Sequence, residues 1–448
     1  MRLHGFFGIF ASVALVGSNP TQTAAQTPQS TMAIDANMTG RWDISFRSPE
    51  ANVDTVWVIE RGADDTLSIG TLGQNSAGLA VRTAAFSGDS LTLSGTSAAG
   101  PLVMVGTRSG DRLVGEFTAG PISGTFLAAR RKDNRTRDLT ALFDDAIDTF
   151  TFTLFTPVPF DAAWQARRAE MRAQLQNPGT TERDMVRAVR TLIAAARLSH
   201  NDFYLPVSTN EPVQAMKTVP AVTWQRLETG EGYIRISHFV DASAERDRLD
   251  EAFAELKNAN GLIIDLMDNS GGDLGLAMRL GDHLLLERTN GGLFATRKGL
   301  AAAGVTSMEG IPKTAFTTFD GYDTAEFQDA LSRSGAVTLV TGGRAPLFAG
   351  PVALLINGSS GSSSEAVAAM MKETGRARLF GTRSAGKMLS SRTIAQQDGY
   401  ILRVAFADYR TPKGTVAEKI GVTPDQTVIG DGADVLAAAI KWLTKARS

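Results

Sequence analysis

The segment with the clearest chemical potential is a serine-rich run, Asn-Gly-Ser-Ser-Gly-Ser-Ser-Ser-Glu, at residues 357–365. It follows an apolar run at 351–356 that predicts a buried strand, and it leads into a predicted helix at 364–374. At a helix N-terminus, free backbone N–H groups and the positive end of the helix dipole stabilise a developing oxyanion. Ser362 is therefore a candidate nucleophile, with a helix cap as the alternative role for a serine at this point.

A serine nucleophile needs a base, and Lys387 is one candidate. The helix at 364–374 spans about 16 Å, and a strand at 376–381 returns over about 20 Å. The chain should therefore come back close to Ser362 at this lysine. A lysine acts as a base only when burial or neighbouring positive charge lowers its pKa. A solvated surface charge is the alternative reading of Lys387.

Further motifs follow one another along residues 161–425. They are Gly-Tyr-Ile-Arg-Ile at 232–236, Gly-Leu-Ile-Ile-Asp-Leu at 261–266, Asn-Ser-Gly-Gly at 269–272, Ser-Ser-Ser-Glu at 362–365, Gly-Lys at 386–387, Asp-Gly at 398–399, Thr-Pro-Lys-Gly at 411–414 and Gly-Val-Thr-Pro-Asp at 421–425. In this order they closely resemble the C-terminal processing (tail-specific) serine protease family, which includes tricorn protease and interphotoreceptor retinoid-binding protein. The resemblance implies a peptidase with an α/β, crotonase-like core of ββα units and no cofactor.

The resemblance also implies roles for single residues. Ser362 matches the nucleophile, three residues before the glutamate, and Lys387 matches the general base. The backbone N–H groups of Ser363 and of Gly271 or Gly272 would form the oxyanion hole, because glycine allows close backbone approach. A plain strand-to-helix turn would use the same Asn-Ser-Gly-Gly composition.

Two departures from the family pattern open a second mechanism. Ser391 stands where the processing proteases carry a glutamine that orients the lysine, and residues 205–231 leave no room for their substrate-gripping PDZ domain. Ser199 and His200 stand where tricorn-type members place a Ser-His pair, and Glu418 resembles their fourth catalytic residue. Histidine needs the least adjustment of its pKa to act as a base, although the helix dipole alone also favours a histidine at a helix end.

We favour Lys387 over His200 as the base from the sequence, because it matches the larger branch of the family. His238 and His283 are interpreted as surface or packing residues. The four histidines are too scattered for a metal-ligand cluster, so no metal is expected.

Composition excludes other classes of function. The chain has 448 residues, no Cys, 45 Lys and Arg against 47 Asp and Glu, and 7% aromatic residues. Disulfide scaffolds and cysteine-ligated zinc are excluded, and a near-neutral chain without long basic runs is a poor partner for nucleic acid. The expected partner is a peptide or protein substrate; the oligomeric state is left open.

The first 25 residues resemble a bacterial secretory signal peptide. Arg2 precedes an apolar run of 12 residues at 6–17, and a small-residue sequence ends at Ala25. Twelve apolar residues are too few for the about 20 that a membrane-spanning helix needs. We therefore expect export to the periplasm or medium without stable membrane insertion, followed by a linker at 26–37.

Residues 38–131 alternate between apolar and polar positions in eight short runs separated by turns. The runs are 41–47, 55–61, 66–72, 79–86, 90–94, 102–107, 112–117 and 122–128. This pattern predicts a small antiparallel barrel, with a weak resemblance to lipocalin-like barrels. The barrel is either filled by its own side chains, which we favour, or holds a small ligand.

Residues 132–215 are expected to form a helical subdomain, with helices at 139–148, 161–175 and 181–198. Residues 216–448 should form the catalytic core around a buried sheet, with a less regular insertion at 293–348 and a closing helix at 434–443. The predicted function is a secreted or periplasmic serine peptidase that works through an acyl-enzyme. A non-catalytic binder of an apolar ligand is the rival.

Overall fold

The computed structural model describes residues 38–446 except 49–51, 62–66, 75–79, 98, 133–136, 158, 209–219, 241 and 313–315. The predicted signal peptide at 1–25 and linker at 26–37 lie outside the described residues. Within them, no helix is both long and apolar enough to cross a membrane.

The N-terminal region forms one antiparallel sheet of eight strands, as the alternating pattern predicted. The strands are β1 (Gly40–Arg47), β2 (Asn52–Arg61), β3 (Leu67–Thr71), β4 (Ala80–Ser87), β5 (Ser90–Ser97), β6 (Gly100–Ser109), β7 (Arg112–Ala119) and β8 (Ile122–Arg130). Their order, β3-β2-β1-β8-β7-β6-β5-β4, curls the sheet into a nearly closed barrel. No ladder joins the end strands β3 and β4 in the part of the chain that the structure describes.

Three helices follow, and they join the barrel to the rest of the molecule. They are α1 (Leu139–Thr153), α2 (Ala162–Gln174) and α3 (Glu182–Ala195), and the Asp138, Asp161 and Thr181 side chains cap their N-termini. The apolar stripe of α3, including Val189 and Leu192, is buried as its spacing predicted. These helices share one apolar cluster with Val56 of the barrel and with residues of the third sheet.

The second sheet carries the parallel strands that position the candidate site. It consists of β10 (Val222–Arg226), β11 (Gly232–Ile236), β12 (Leu262–Asp265), β16 (Val352–Ile356), β17 (Arg378–Gly381) and β20 (Gln426–Thr427), hydrogen-bonded in that order. Only β10 runs antiparallel to its neighbour among these strands. Helices cover both faces, which explains why β12 and β16 are buried throughout and carry only one polar residue, Asp265.

Helices α4 (Ser243–Leu256), α5 (Leu274–Leu284) and α8 (Ser363–Glu373) pack on one face of the second sheet. The closing helix α9 (Gly432–Lys445) packs on the other face, where Ala439 and Leu443 contact the apolar side chains of β12, β16 and β17. The result is an α/β layered structure, as expected. The crotonase-like arrangement and the division into domains at 38–131, 132–215 and 216–448 stay predictions.

The insertion at 293–348, which was expected to be less regular than the rest of the core, has helices and strands of its own. It contains part of β13 (Thr289–Thr296) and all of α6 (Arg297–Ala302), β14 (Thr317–Phe319), α7 (Thr324–Ser334) and β15 (Ala336–Thr341). These elements build a third sheet with β18 (Ser390–Ala395) and β19 (Ile401–Arg410), in the order β14-β15-β13-β19-β18, and β9 (Asp202–Tyr204) pairs with β19. The elements are short and depend on distant partners, so local periodicity does not reveal them.

Candidate active site

The carboxyl ends of the parallel strands β12, β16 and β17 meet at one edge of the second sheet. The loops that leave these strands are tied together by backbone hydrogen bonds. The amide of Gly361 donates to the carbonyl of Asn269 at 3.0 Å, and the amide of Ser362 donates to the carbonyl of Lys387 at 2.9 Å. Ser362 and Lys387 are thus close through their backbones, as the helix and strand lengths predicted.

Ser362 lies in a strained turn immediately before α8. Its φ is 53° and its ψ is −119°, a region that non-glycine residues rarely adopt. Such strain costs on the order of 1–3 kcal/mol and persists where surrounding structure enforces it. A Cβ added to Gly271 would lie 2.5 Å from the Ser362 Cβ, so only glycine allows this close approach.

A buried carboxylate, Glu365, holds the turn and the neighbouring loop in register. It accepts hydrogen bonds from the Ser362 amide at 3.1 Å, the Ser384 hydroxyl at 2.6 Å, and the amides of Gly386 and Lys387 at 2.8 Å each. Burial raises the pKa of Glu365 above its usual value, and the hydrogen bonds from these donors offset part of that rise. From the sequence, Glu365 served only to mark the motif. Its position three residues after Ser362, typical of a capping box, is the feature that could have indicated its role in holding the turn.

Two backbone N–H groups are available for an oxyanion. Those of Ser363 and Gly272 have no acceptor within the described residues, whereas the Gly271 N–H donates to the Asn269 side chain at 2.9 Å. The Ser363 hydroxyl donates to the Gly272 carbonyl at 2.8 Å, so these two residues are adjacent. Of the two glycines that the sequence left open, the free N–H is that of Gly272.

A second group of predicted residues, Ser199, His200 and Glu418, forms a hydrogen-bonded chain. The Ser199 Oγ lies 2.8 Å from Glu418 Oε2 and 2.7 Å from His200 Nδ1. The Ser199 amide also donates to Glu418 Oε1 at 2.9 Å. Glu418 in turn accepts the amide of Met388 at 2.8 Å, which links the chain to the loop beside Ser362.

This hydrogen-bond pattern assigns the tautomer of His200. A carboxylate only accepts, so the single hydroxyl proton of Ser199 points to Glu418, and Ser199 must accept from His200 Nδ1–H. The neutral ring therefore carries its lone pair on Nε2. Burial, followed by the positive charges of Arg403 and Lys387, lowers the pKa of His200 to about 4, so the ring is neutral at pH 7.

Asn201 fixes the His200 loop against the third sheet. Its side-chain oxygen accepts the Ala405 amide of β19 at 2.8 Å, and its side-chain nitrogen donates to the Ser199 carbonyl at 2.9 Å. His200 itself has a left-handed backbone with φ of 61°.

Asp408, further along β19, has its pKa raised to about 7 by burial and by the negative charge of Glu418.

Ser362 and His200 line one cavity of about 340 Å³ between the second and third sheets. Gly272 and Ser363, whose N–H groups have no acceptor among the described residues, line it too. The rest of the wall is mixed and includes apolar residues, polar residues and one arginine: Leu274, Phe294, Phe327, Met388, Leu389, Ser270, Thr324, Gln328, Ser390, Ser391 and Arg403. The cavity thus brings together a serine, a neutral histidine and residues with free backbone N–H groups, which are the kinds of group that acyl transfer requires.

The Lys387 side chain does not line this cavity. It is exposed, and within the described ranges its Nζ makes no hydrogen bond or ion pair. Its charge nevertheless acts on His200. The structure thus joins the backbone of Lys387, but not its ammonium group, to the candidate site.

Residues 230–428 match the family model for peptidase family S41. This segment belongs to peptidase family S41. It includes Ser362, the oxyanion donors, Lys387 and Glu418, whereas Ser199 and His200 lie outside it. The resemblance stated from the motifs is thereby confirmed.

Two curated relatives of this chain are named as processing enzymes. The chain is 29% identical over 196 residues to the chloroplastic carboxyl-terminal-processing peptidase 2 of Arabidopsis thaliana, which covers 43% of this chain and 31% of the relative. It is 42% identical over 78 residues to a carboxy-terminal-processing protease of Bartonella bacilliformis, covering 17% and 18%. The chain thus aligns with a third or less of these relatives' length. The solved photosystem II D1 C-terminal processing protease is similar with a TM-score of 0.45 and 16% identity, covering 68% of this chain and 98% of that one.

Two further histidines, His238 and His283, do not line the cavity that Ser362 and His200 share. His283 is buried, stacks on Phe253 and bonds to Asp250 at 2.7 Å, while His238 is exposed beside Ser237. Their interpretation as packing and surface residues agrees with these positions. Within the described chain, no group of three or more His, Cys, Asp or Glu side chains is arranged to hold a metal ion.

Proposed function

We propose that this chain is a serine peptidase that hydrolyses peptide bonds through an acyl-enzyme on Ser362, with His200 as general base. The observation that carries the proposal is the shared cavity: Ser362 and His200 come from distant parts of the chain, yet both side chains line it. Ser362 has a strained backbone and His200 has a lowered pKa, and both features are common at catalytic sites.

In the first step, Ser362 Oγ attacks the carbonyl carbon of the scissile bond while His200 Nε2 takes the hydroxyl proton. The carbonyl oxygen becomes an oxyanion, which the N–H groups of Ser363 and Gly272 stabilise. When the tetrahedral intermediate collapses, the C–N bond breaks and the histidine returns its proton to the leaving amine. Water then attacks the ester by the same route, and Ser362 regains its proton.

Ser199 and Glu418 have a positioning role in this scheme. They hold the imidazole in the Nδ1–H tautomer, so that Nε2 is free to accept a proton. They also stabilise the imidazolium that forms during the reaction, because the Glu418 charge acts through the Ser199 hydroxyl. The low resting pKa of His200 is compensated at that moment by the oxyanion beside it.

The lysine mechanism stays a second candidate because the Lys387 carbonyl accepts the Ser362 amide at 2.9 Å. A rotation of the Lys387 side chain into the cavity would be needed for it to reach the serine. A base must also lose its proton, which for lysine requires burial that the exposed side chain lacks. The geometry therefore favours His200.

The processing relatives support a further proposal, that the substrates are proteins or peptides cut near their carboxyl ends. Export to the periplasm or medium is proposed from the signal pattern at residues 1–25. N-terminal sequencing of protein from the culture medium or periplasm should begin close after Ala25; a chain that still begins with Met1 there would contradict this.

Labelling by a fluorophosphonate probe tests the proposed function, because only an activated serine reacts. We expect the wild-type chain to be labelled on Ser362 and to cleave peptides, and Ser362→Ala to lose both with an unchanged melting temperature. Ser359→Ala, a serine-to-alanine change in the same run, serves as the matched control and should keep both. Absence of labelling in the folded wild type, or labelling that persists in Ser362→Ala, would overturn the proposal.

A further inference from the structure

One charged side chain in the wall of the cavity has no part in the proposed chemistry. Arg403 of β19 lines the same space as Ser362 and His200. No acidic side chain lines the cavity, and His200 is neutral at pH 7. The cavity therefore presents one permanent positive charge beside the reacting groups.

Arg403 has no ion pair or hydrogen-bond acceptor within the described residues. Its Nε is buried without a partner. The nearest carboxylate across the strand pair is that of Asp202, which faces Arg403 in register. That carboxylate is instead bonded to Arg190 at 3.2 Å and to the Phe203 amide at 2.8 Å.

A guanidinium with a buried N–H that has no acceptor is suited to binding an anion. Leaving a buried N–H without an acceptor is costly, so the group gains most from an incoming anion. The planar fork of arginine matches the two oxygens of a carboxylate. Phe294, Phe327 and Leu389 also line the cavity, and nearby apolar side chains strengthen such a pair by reducing its screening.

We propose that Arg403 is a specificity-determining residue that binds a carboxylate group of the peptide substrate next to the scissile bond. The proposal rests on the proposed peptidase function of the same cavity. The carboxylate has two sources in a peptide, the free C-terminus and an Asp or Glu side chain. Both offer the same chemistry to Arg403, and substrate design separates them.

Arg403 also lowers the pKa of His200, which gives a competing explanation for any loss of activity in an Arg403 variant. An effect that acts only through His200 changes kcat equally for all peptides. Loss of a carboxylate contact instead weakens binding of the peptides that carry the carboxylate. Binding to a protein that cannot turn over therefore separates the two roles.

The test uses full-length Ser362→Ala protein and three fluorescein-labelled peptides of one apolar sequence, followed by fluorescence anisotropy. The first peptide has a free C-terminus and no acidic side chain, the second is amidated and contains one Glu, and the third is amidated with Gln in place of that Glu. We expect the first, the second or both to bind at least about tenfold more tightly than the third, since both partners of the contact are charged. The peptide that gains identifies the source of the carboxylate.

Adding Arg403→Gln should remove this preference and leave the affinity for the neutral peptide within about twofold. Arg403→Lys, which keeps the charge but not the fork, should retain part of it, and it serves as the second variant if Arg403→Gln does not fold. Arg333→Gln, an equal charge change at an exposed position of α7, is the control and should bind like the parent. Equal affinity for all three peptides, or a preference that survives in Arg403→Gln, would overturn the carboxylate proposal. Fluorophosphonate labelling of wild type reports separately on the peptidase function.

Discussion

The barrel interior and the cavity between the two C-terminal sheets are both enclosed by β-strands, but they differ in every property that matters for chemistry. The barrel leaves a void of about 20 Å³ among side chains such as Trp42, Leu93 and Phe126. The cavity measures about 340 Å³ and is lined by Ser362, His200 and glycine backbone. Alternating strand residues fill the barrel, whereas loops at strand ends open the cavity.

This difference indicates what each region does. A void of about 20 Å³ with an apolar lining offers space for little more than one water molecule and no exposed polar group to hold it. The interpretation of the barrel as filled by its own side chains therefore fits better than a ligand-holding barrel. The barrel therefore offers little space for a ligand under the alternative function, binding of an apolar ligand. The residues that could carry chemistry lie instead at the edge of the second sheet.

The largest expected effect comes from removing the base. His200→Asn, which keeps a residue that tolerates a left-handed backbone, should lower kcat/KM by about 10² to 10⁴ because the Ser362 proton has no acceptor. Lys387→Ala should stay within about threefold of wild type, since its side chain is exposed. Steady-state peptide cleavage by folded variants measures both. Inactive Lys387→Ala together with active His200→Asn would restore the lysine mechanism preferred from the sequence.

The next effect concerns the contact that shapes the nucleophile turn. Gly271→Ala places a Cβ 2.5 Å from the Ser362 Cβ and forces the serine to move, so we expect kcat to fall by about 10². Gly358→Ala is the matched control in the turn before Ser362, where the added Cβ meets only one atom, at 3.9 Å. Cleavage assays on both variants give the comparison. Equal activity of the two would show that the turn tolerates displacement of Ser362.

Much of this organisation could be predicted from residue patterns, and the failures have a physical cause. Eight strands of the barrel follow from period-two alternation and turn residues, both of which are local signals. The return of Lys387 to Ser362 follows from element lengths and agrees with the 2.9 Å backbone hydrogen bond. Spacing places backbones but not side chains, so it did not reveal that the Lys387 side chain is exposed and does not line the cavity.

The third sheet and Arg403 lay beyond such reasoning for another reason. β19 pairs with β9, β13 and β18, which come from widely separated parts of the chain. No local period encodes these partners, and only the assembled sheet brings Arg403 and His200 to one wall. Ser199, His200 and Glu418 were found solely through the family resemblance, because they are far apart in sequence.

The smallest expected change in activity comes from the barrel. Leu93→Ala removes a side chain that is 1% exposed and should reduce the free energy of unfolding by about 2–5 kcal/mol. Because the barrel core is separate from the cavity that Ser362 and His200 line, kcat should stay within about twofold of wild type at a temperature where the variant is folded. Urea unfolding measures the change in the free energy of unfolding, and cleavage assays measure kcat. A large fall in kcat without loss of stability would link the barrel directly to catalysis.

The pH dependence of wild-type labelling by the fluorophosphonate probe tests most directly whether His200 serves Ser362 as base. The neutral ring is the active form, and its pKa is lowered from 6.5 to about 4, so activity should persist in mild acid and be lost as the pH falls through about 4. Circular dichroism at each pH confirms that the protein is folded. We predict an acid limb with a midpoint of about 4 that moves upward in Lys387→Ala, because a positive charge near His200 is removed. A midpoint of about 7 to 8 that disappears in Lys387→Ala would instead identify a lysine base and contradict this account.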